Sequence, residues 1–187
     1  MVTACVVEQP DGRILAGGAE YPTGAPARQP LVRLQSDGTL DDGFAPNLGD
    51  PSGRTVQVNA IAFAGPDAIL VGGAFTRAGE MPVTALVRLR SDGSVDPTFT
   101  AELKNSGSVR AIARYGDTNL LAGGSFLAVN DTAQPNLTAV SFDGSVNTNL
   151  HLGRGLGSQV NALEPIAPGY GAEVAIGSFL IGYLGEP

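Results

Sequence analysis

The stretch LVRLRSDGSVDPTF occupies residues 86–99, and a near copy, LVRLQSDGTLDDGF, occupies residues 31–44. A third copy, LTAVSFDGSVNTNL at residues 137–150, keeps the Asp-Gly pair and the apolar positions but lacks the arginine. Each copy places alternating apolar and polar residues on both sides of a turn sequence, which is typical of two short strands joined in a hairpin. The stretch therefore predicts a β-hairpin that recurs along the chain.

The loop of this hairpin has two alternative lengths, and each length sets a different pairing across the strands. A two-residue Asp-Gly loop would place Leu89 opposite the charged Asp96. A three-residue Ser-Asp-Gly loop, with its glycine in the left-handed region, pairs Leu89 with Val95 and Arg88 with Asp96. We expect the three-residue loop because it pairs apolar residues with each other and places opposite charges across from each other. The equivalent partners in the other copies are Leu34 with Leu40, Arg33 with Asp41, Val140 with Val146 and Ala139 with Asn147.

The two arginine and aspartate pairs are interpreted as structural. Both members change together in the third copy, to Ala139 and Asn147, as direct contact between an arginine and a carboxylate would allow. If the pairs are exposed, each contributes less than about 1 kcal/mol to stability.

Two further motifs recur in the same order. Val-x-Ala occurs at residues 2–4, 58–60, 109–111 and 160–162, and a run of small residues follows at 16–19, 71–75, 122–126 and 175–179. Glycine weakens a strand, so the paired glycines in these runs need a reason. A phosphate-binding loop would require a helix start after them, and none follows. We expect the glycines to allow close approach of neighbouring sheets.

These motifs predict an all-β chain built from the blades of a β-propeller, each a four-stranded antiparallel sheet with strands A to D. In the second repeat the strands are predicted at about 58–63, 68–75, 85–90 and 94–100. The predicted repeats are 2–57, 58–108, 109–159 and an incomplete 160–187 in one partial propeller domain over residues 1–187. This is about three and a half repeats, which we expect to be part of a larger propeller.

The composition excludes several classes of function. The chain has 187 residues, of which 43% are hydrophobic and 16% charged, with 26 glycines and 13 prolines, as expected for short buried strands between many turns. The net charge of −7 and the scattered cations argue against nucleic acid or an anionic membrane as partner. No apolar run is long enough to insert into a bilayer. A single cysteine, Cys5, excludes an internal disulfide.

The motif set resembles the delta-sixty repeat family of bacterial β-propeller proteins over essentially the whole chain. The opening copy is QPDGRILAGG at residues 9–18, and the closing copy is the stretch at 86–99. The resemblance implies blades in a large secreted or cell-surface protein and no shared catalytic residues. Met1 is followed by a strand and not by a signal peptide. We expect either a piece of a longer propeller or an arc that closes by self-association with a second copy.

Function is expected on one side of the sheets, where the longer connections meet. These are the B–C connections at residues 21–30, 76–84 and 127–136 and the D–A connections at 45–57, 101–108 and 151–159. The preferred hypothesis is a non-catalytic binding or adhesion module for a protein or glycan. The alternatives are a hydrolase or lyase with an axial active site and a structural spacer.

Candidate chemical groups are few, and we predict no catalytic residue, no metal site and no cofactor. His151 has no second histidine or motif-placed nucleophile, so it is interpreted as a surface residue. Cys5 is interpreted as a small buried apolar residue. Asp37, Asp41 and Asp42 suggest calcium, but their spacing differs from a calcium loop; turn chemistry explains Asp37, and the hairpin pair explains Asp41. Glycosylation sequons occur at residues 130–132 and 136–138.

Overall fold

The computed structural model describes residues 2–19, 29–65, 67–104, 107–148, 156–166 and 173–178. This part of the chain consists of strands and turns and contains no helix, which confirms the predicted all-β class. The predictions made for His151, for Leu150 and for most of the connection at 21–30 concern residues outside this part of the chain.

Seventeen strands follow one another in the described part of the chain. The first repeat and its connection contain β1 (Val2–Glu8), β2 (Ile14–Ala19), β3 (Leu31–Leu34) and β4 (Leu48–Gly49). The second contains β5 (Gln57–Phe63), β6 (Ala68–Ala74), β7 (Arg77–Ala78), β8 (Met81–Pro82), β9 (Leu86–Arg90) and β10 (Leu103–Lys104). The remainder are β11 (Ser108–Tyr115), β12 (Asn119–Ser125), β13 (Ala128–Val129), β14 (Thr132–Ala133), β15 (Leu137–Ser141), β16 (Val160–Ile166) and β17 (Glu173–Ser178).

The long strands form a repeated antiparallel sheet, which we call a blade. Blade 1 has the order β1-β2-β3, blade 2 has β5-β6-β9, and blade 3 has β11-β12-β15. Blade 4 contains β16 and β17 among the described residues. Blades 1 and 2 are also joined by one backbone pair, between Ala19 and Gln57. The A, B and C strands therefore lie where the sequence predicted them.

The hairpin after strand C has the three-residue loop. Isolated bridges pair Leu34 with Leu40, Leu89 with Val95 and Val140 with Val146, as predicted. The loop glycines Gly38, Gly93 and Gly144 have φ values of 85°, 89° and 90°, so each adopts the left-handed region that glycine accepts without strain.

The predicted fourth strand is wrong, because strand D is reduced to that single bridge. In blade 2 the chain turns immediately afterwards, where an Asp96 carboxylate oxygen accepts hydrogen bonds from the Thr98 amide and hydroxyl. Pro97 has no amide hydrogen to donate to a ladder. Strand pairing therefore stops, and the chain leaves the sheet toward the next blade.

The first and fourth repeats are offset by one residue from the equivalence that the motifs suggested. Thr3 pairs with Gly18 and Cys5 with Gly17, just as Val58 pairs with Gly73 and Ala60 with Gly72. Residues 3–5, rather than 2–4, thus occupy the Val-x-Ala position of blade 1. In blade 4, Ala162 pairs with Gly177, so Gly177 corresponds to the first glycine of the pair and Ile176 to the preceding valine.

The paired glycines are explained by two close approaches. A Cβ on Gly72 would lie 2.5 Å from Cγ1 of Val109 in blade 3, and Gly17 and Gly123 meet the equivalent valines of their following blades at the same distance. The second glycine, Gly73, faces the Gln57 carbonyl of its own blade beside a bulge in β5. The first glycine therefore brings two blades together, as predicted.

The arginines of strand C also join blades. Arg33 donates to Asp41 at 2.8 Å within blade 1 and to the Ser91 carbonyl in the loop of blade 2. Arg88 repeats this arrangement with Asp96 at 3.0 Å and with the Phe142 carbonyl of blade 3. The energy given for exposed pairs does not apply to Arg33, which is only 4% exposed, because the next blade covers it.

Aromatic residues complete each junction. The guanidinium carbon of Arg33 lies 4.4 Å from the centroid of the Phe44 ring. A Cβ on Gly93 would lie 2.9 Å from that ring, and a Cβ on Gly144 would lie 3.1 Å from Phe99. Gly93 and Gly144 therefore leave room for the phenylalanine of the preceding blade.

The hydrophobic core consists of layers between blades. Buried residues of blades 1 and 2, including Leu15, Ile69 and Val71, form one cluster. A second cluster, including Leu70 and Val109, lies between blades 2 and 3, and Leu121 with Val160 belongs to a third between blades 3 and 4. Each blade thus buries its apolar residues against its neighbours, as in a stacked repeat protein.

We expect Gly72→Ala to lower the free energy of unfolding by about 1–3 kcal/mol, since the new methyl group would overpack the junction at Val109. Urea unfolding followed by circular dichroism measures this. Gly157→Ala is the control, because a Cβ there meets no atom within 4 Å. The double variant Gly72→Ala/Val109→Ala should lose less free energy of unfolding than the sum of the two single variants, because the smaller residue 109 leaves room for the new methyl group. An unchanged transition for Gly72→Ala would contradict the proposed role of the glycine.

Arg88→Ala is expected to lower the free energy of unfolding by about 2–4 kcal/mol, since it leaves a largely buried carboxylate and a loop carbonyl unpaired. Arg90→Ala, on the same strand but half exposed, should cost about 0.5 kcal/mol or less. Arg88→Lys should restore only part of the loss, because an ammonium cannot reproduce the fork of the guanidinium. Equal losses for Arg88→Ala and Arg90→Ala would show that the junction does not depend on Arg88.

Candidate functional site

Two sides of the sheets differ in their chemistry. The turn side carries the A–B turns and the C–D loops, and the connection side carries the B–C and D–A connections. On the turn side, Asp37, Asp92 and Asp143 each accept hydrogen bonds from the amide and hydroxyl of the residue two positions later. These recurring acids therefore shape loops.

Hydrogen bonds set the titration of these acids. The hydroxyl and amide of Thr39 lower the pKa of Asp37, and Ser94 and Ser145 do the same for Asp92 and Asp143. The Arg33 guanidinium is the main cause that lowers the pKa of Asp41. All of these carboxyls are stabilised as anions in the folded chain.

The three acids considered for calcium are separated by these contacts. Asp37 accepts from Thr39, whereas Asp41 pairs with Arg33 and accepts from the Gly43 amide. Within the described ranges, no three histidine, cysteine or acidic side chains form a group suited to a metal ion. Asp37 and Asp41 thus act within the hairpin, as turn chemistry predicted.

The connection side is more regular than the sequence suggested. In repeat 2, β7 and β8 form a small hairpin that pairs with β4 from the D–A connection of repeat 1. In repeat 3, β13 and β14 form the same hairpin and pair with β10 from repeat 2. The expected variation between these two B–C connections lies in their side chains and not in their backbone.

These hairpins share their turn geometry. Gly79 and Asn130 occupy equivalent turn positions with φ values of 56° and 51°, and Ala85 and Asn136 have values of 60° and 65° where each connection re-enters the sheet. The side-chain oxygen Oδ1 of Asn130 accepts a hydrogen bond from the Glu102 backbone amide at 2.9 Å. This contact fixes the repeat 3 hairpin to the preceding D–A connection. The connection side is therefore a rigid surface that carries different side chains at each repeat.

A polar cavity of about 230 Å³ lies on this side between blades 2 and 3. Asp50, Arg54 and Thr55 line it from one D–A connection, and Arg110 lines it from β11. The remaining lining residues are Ala74, Phe75, Thr76, Gly107, Ser108 and Ser125. The cavity combines two arginines with several hydroxyl groups, which is suited to an acidic or hydroxylated ligand.

The charges in this cavity are only partly paired. Ser52 is the main cause that lowers the pKa of Asp50, with a smaller contribution from the charge of Arg54. Among the described residues, Arg110 makes no hydrogen bond or ion pair. Both arginines are exposed to solvent. Positive charge is therefore available to a ligand from outside the chain.

A second cavity, of about 390 Å³, lies beside the repeat 2 hairpin. Met81, Pro82 and Val83 line it from the B–C connection, and Phe99 and Glu102 line it from the chain after the C–D loop. Its lining is more apolar than that of the first cavity and lacks an arginine. It therefore offers shape but little electrostatic selectivity.

The sequence analysis did not identify Arg110 as a site residue. Arg110 is the middle residue of a Val-x-Ala motif, where blade 2 has Asn59 and blade 4 has Asn161. The Asn59 amide donates to the Val109 carbonyl of the next blade at 2.9 Å. The change to arginine at a position where two of the other three repeats have asparagine was the signal that could have identified it.

Cys5 does not line either of these cavities. Cys5 is half-buried in β1 and packs against the core between blades 1 and 2, where burial raises the pKa of its thiol. A raised pKa disfavours the reactive thiolate. Cys5 thus fits the predicted role of a small core residue, whereas His151 lies outside the described residues.

Both sequon asparagines use their side chains within the fold. The Asn136 amide donates to the Leu156 carbonyl at 2.7 Å, and the Asn130 amide lies 3.5 Å from the Gly144 carbonyl. Thr138 of the second sequon is fully buried. A glycan on either asparagine would have to replace these contacts.

The comparisons with known proteins agree with the repeated sheets. A family model described as a domain of unknown function (DUF5122) beta-propeller matches residues 9–44 and 67–99. The chain is built from β-propeller repeats. Each matched segment begins near the A–B turn and ends at the phenylalanine that packs on the next blade, so it includes the glycine, arginine, aspartate and phenylalanine that one blade contributes to a junction. No curated protein matches the chain.

The propeller class predicted from the sequence is confirmed, although the fourth strand of blades 1, 2 and 3 is reduced to a single bridge. No helix that could cross a membrane occurs in the described part of this propeller chain. The recurring residues of the propeller repeat lie at the loops and junctions, so residues that occur in a single repeat, such as Arg110, are the better candidates for binding.

The stability of the propeller repeats is expected to fall in acid. Their loop aspartates have lowered pKa values in the folded chain, so the unfolded chain binds protons first as the pH decreases. The free energy of unfolding should be constant from pH 7 to about 5 and should fall below about pH 4. Urea unfolding across this range measures it.

Asp92→Asn should reduce the slope of that fall, because asparagine can accept the Ser94 hydrogen bonds without titrating. The Asp92→Asn chain must be compared with the unsubstituted chain at each pH. A stability that rises on acidification, or an identical slope in both chains, would contradict the role assigned to the loop carboxylates.

Proposed function

We propose that this chain is a non-catalytic binding module of a secreted or cell-surface bacterial protein, made of delta-sixty repeats. The repeats form a rigid platform, and the connection side binds a protein or glycan. The cavity between blades 2 and 3 is the binding site. The resemblance of the motifs to the delta-sixty family supports the location and the repeat type.

The single observation that carries this proposal is the pair of arginines in the 230 Å³ cavity. Arginine on an exposed surface recognises carboxylate, sulfate or phosphate groups through paired hydrogen bonds. The overall charge of the chain is −7, so a local pair of cations is a departure from its surroundings. The ligand is therefore expected to carry an acidic group.

The turn side supports the same assignment by contrast. Its acids and arginines are engaged with one another and with neighbouring loops, as in the pairs Arg33 with Asp41 and Arg88 with Asp96. Substitution there would disturb the junctions between blades. On the connection side, side chains can change while the hairpin backbone is kept, which is the usual arrangement of a binding surface.

Binding can be tested with three probes: a uronic-acid oligosaccharide, its neutral counterpart and a glutamate-rich peptide. Isothermal titration should give saturable binding of one acidic probe and not of the neutral one. Arg110→Ala should weaken that binding about tenfold or more, since a charge-assisted hydrogen bond contributes about 1.5–3 kcal/mol. Arg54→Ala should act in the same direction.

Arg13→Ala is the matched control for charge, because Arg13 lies in the A–B turn on the opposite side and pairs with Asp11. It should leave binding unchanged. Binding that is insensitive to both Arg54→Ala and Arg110→Ala would move the site elsewhere, and binding of none of the three probes would contradict the proposed acidic ligand.

The hydrolase or lyase alternative stays a prediction. It requires acids, histidines or a metal that converge from several blades, and no contact of the described residues favours it over binding. Turnover of the uronic-acid oligosaccharide, followed by the appearance of reducing ends, would support this alternative against a binding module.

A further inference from the structure

The cavity between blades 2 and 3 contains an acid as well as its two arginines. Asp50 lines it together with Arg54 and Arg110. A site that held only an anion would bind it more tightly without this carboxylate, because like charges repel. The charge of Arg54 already contributes to lowering the pKa of Asp50, so these two charges offset each other in part. The positive charge of Arg110 is then left for a ligand.

The fold uses only part of the Asp50 carboxylate. Its Oδ1 atom accepts hydrogen bonds from the amide and the hydroxyl of Ser52, at 2.8 and 2.5 Å. The Thr76 side chain adds a smaller contribution. A carboxylate has about four acceptor positions in all, and Asp50 is only half-buried. Acceptor capacity therefore remains for a donor that enters the cavity.

One wall of the cavity is a segment that is longer in repeat 1 than in repeat 2. Seven residues, 50–56, separate β4 from β5, whereas three residues, 105–107, separate β10 from β11. Asp50, Arg54 and Thr55 all belong to the longer segment. The pairing of β4 with β7 does not require the extra length, because β10 pairs with β13 in the same way before the shorter segment. The longer segment thus supplies chemistry to the cavity rather than a strand to the fold.

Hydroxyl groups make up much of the remaining lining. They belong to Thr55, Thr76, Ser108 and Ser125. A hydroxyl group both donates and accepts hydrogen bonds, and the hydroxyl groups of a sugar do the same. Phe75 also lines the cavity but is only 2% exposed, so polar groups supply most of the contacts that a ligand can make.

The volume and the charges favour a sugar acid over an acidic peptide. A cavity of about 230 Å³ is smaller than the roughly 300–1,000 Å³ of pockets for drug-sized ligands, so it suits a single ring. The carboxylate of a glutamate side chain could pair with Arg110 but would bring no donor for Asp50. A uronic acid carries one carboxylate and several hydroxyl donors on the same rigid ring, so it can satisfy both residues.

We propose that this cavity binds one uronic acid residue of a glycan, with Arg110 pairing with its carboxylate and Asp50 accepting hydrogen bonds from its ring hydroxyl groups. This inference rests on the proposed function and chooses a glycan over a protein as the ligand. Asp50 is then the residue that distinguishes a sugar acid from a simple anion.

The direction in which Asp50→Asn changes binding tests this role. Isothermal titration at pH 7 compares a uronic-acid oligosaccharide with a glutamate-rich peptide. Asp50→Asn should weaken binding of the oligosaccharide about tenfold or more, because a neutral amide is a weaker acceptor than a carboxylate. The same variant should not weaken binding of the peptide, because it removes a negative charge from the cavity. Tighter or unchanged binding of the oligosaccharide by Asp50→Asn would overturn the proposal.

Asp37→Asn is the matched control for this substitution. Asp37 lies on the turn side and accepts hydrogen bonds from the amide and hydroxyl of Thr39, at 2.9 and 2.6 Å, just as Asp50 does from Ser52. Both variants remove one negative charge and keep an oxygen that can accept in the turn. Asp37→Asn should leave binding unchanged, and circular dichroism verifies that both variants are folded.

A modified probe tests the ring hydroxyl groups directly. Periodate breaks the bond between two hydroxyl-bearing carbons of the uronic acid ring and is reduced to iodate, and borohydride then reduces the resulting aldehydes to alcohols. The product keeps its carboxylates but loses the rigid pair of hydroxyl groups. It should bind the unsubstituted chain about tenfold more weakly than the intact oligosaccharide. Equal binding of the two oligosaccharides would overturn the proposal.

The outcomes separate this inference from the proposed function. If the peptide binds as tightly as the oligosaccharide, or alone, and Arg110→Ala weakens that binding, the acidic ligand stands but the sugar assignment fails. If no acidic probe binds, or if binding ignores both Arg54→Ala and Arg110→Ala, the proposed site and this inference fail together.

Discussion

The Arg33 guanidinium contacts three groups that belong to two blades. It donates to Asp41 on its own hairpin and to the Ser91 carbonyl of the next loop, and the Phe44 ring stacks against it. Arg88 forms the same set of contacts one repeat later. An arginine buried in this way must satisfy its donors, and only the following loop supplies the remaining acceptor. The spacing and direction of successive blades therefore depend on this residue, because the loop must reach the guanidinium while the glycine beneath it admits the phenylalanine.

This constraint explains why the first two repeats share residues that resemble a functional site. Aspartate, glycine, arginine and phenylalanine recur because one part of the set shapes the C–D loop and the other part docks it onto the next blade. The matched segments of the family model end at the docking phenylalanine, which agrees with this division. Binding residues are then expected where the repeats differ. Arg110 fits that expectation. It stands where blade 2 has Asn59, whose side chain donates a hydrogen bond to the Val109 carbonyl of the next blade.

Several features were predictable because they depend on short-range chemistry. The left-handed glycine and the pairing of Leu89 with Val95 follow from loop length and from the cost of placing an apolar residue opposite a carboxylate. The close approach at the paired glycines was also predictable, since glycine inside a strand needs a neighbour that excludes a side chain. The one-residue offset of blade 1 was not, because the same bulge recurs in every described blade and only the strand pairing shows that Thr3, and not Val2, takes the position of Val58. The small hairpins of the connection side were also missed, because β7 pairs with a strand from the previous repeat.

The sequence by itself determined the class of fold, the repeat, the hairpin register and the pairing of Arg33 with Asp41, since all of these depend on residues close together in the chain. Only the tertiary structure decided that the same arginine is buried by another repeat and that Arg54 and Arg110 line one cavity. The physical reason is distance along the chain. Contacts between blades join residues about 50 positions apart, and the identity of one partner does not reveal which backbone carbonyl or which open space the other provides.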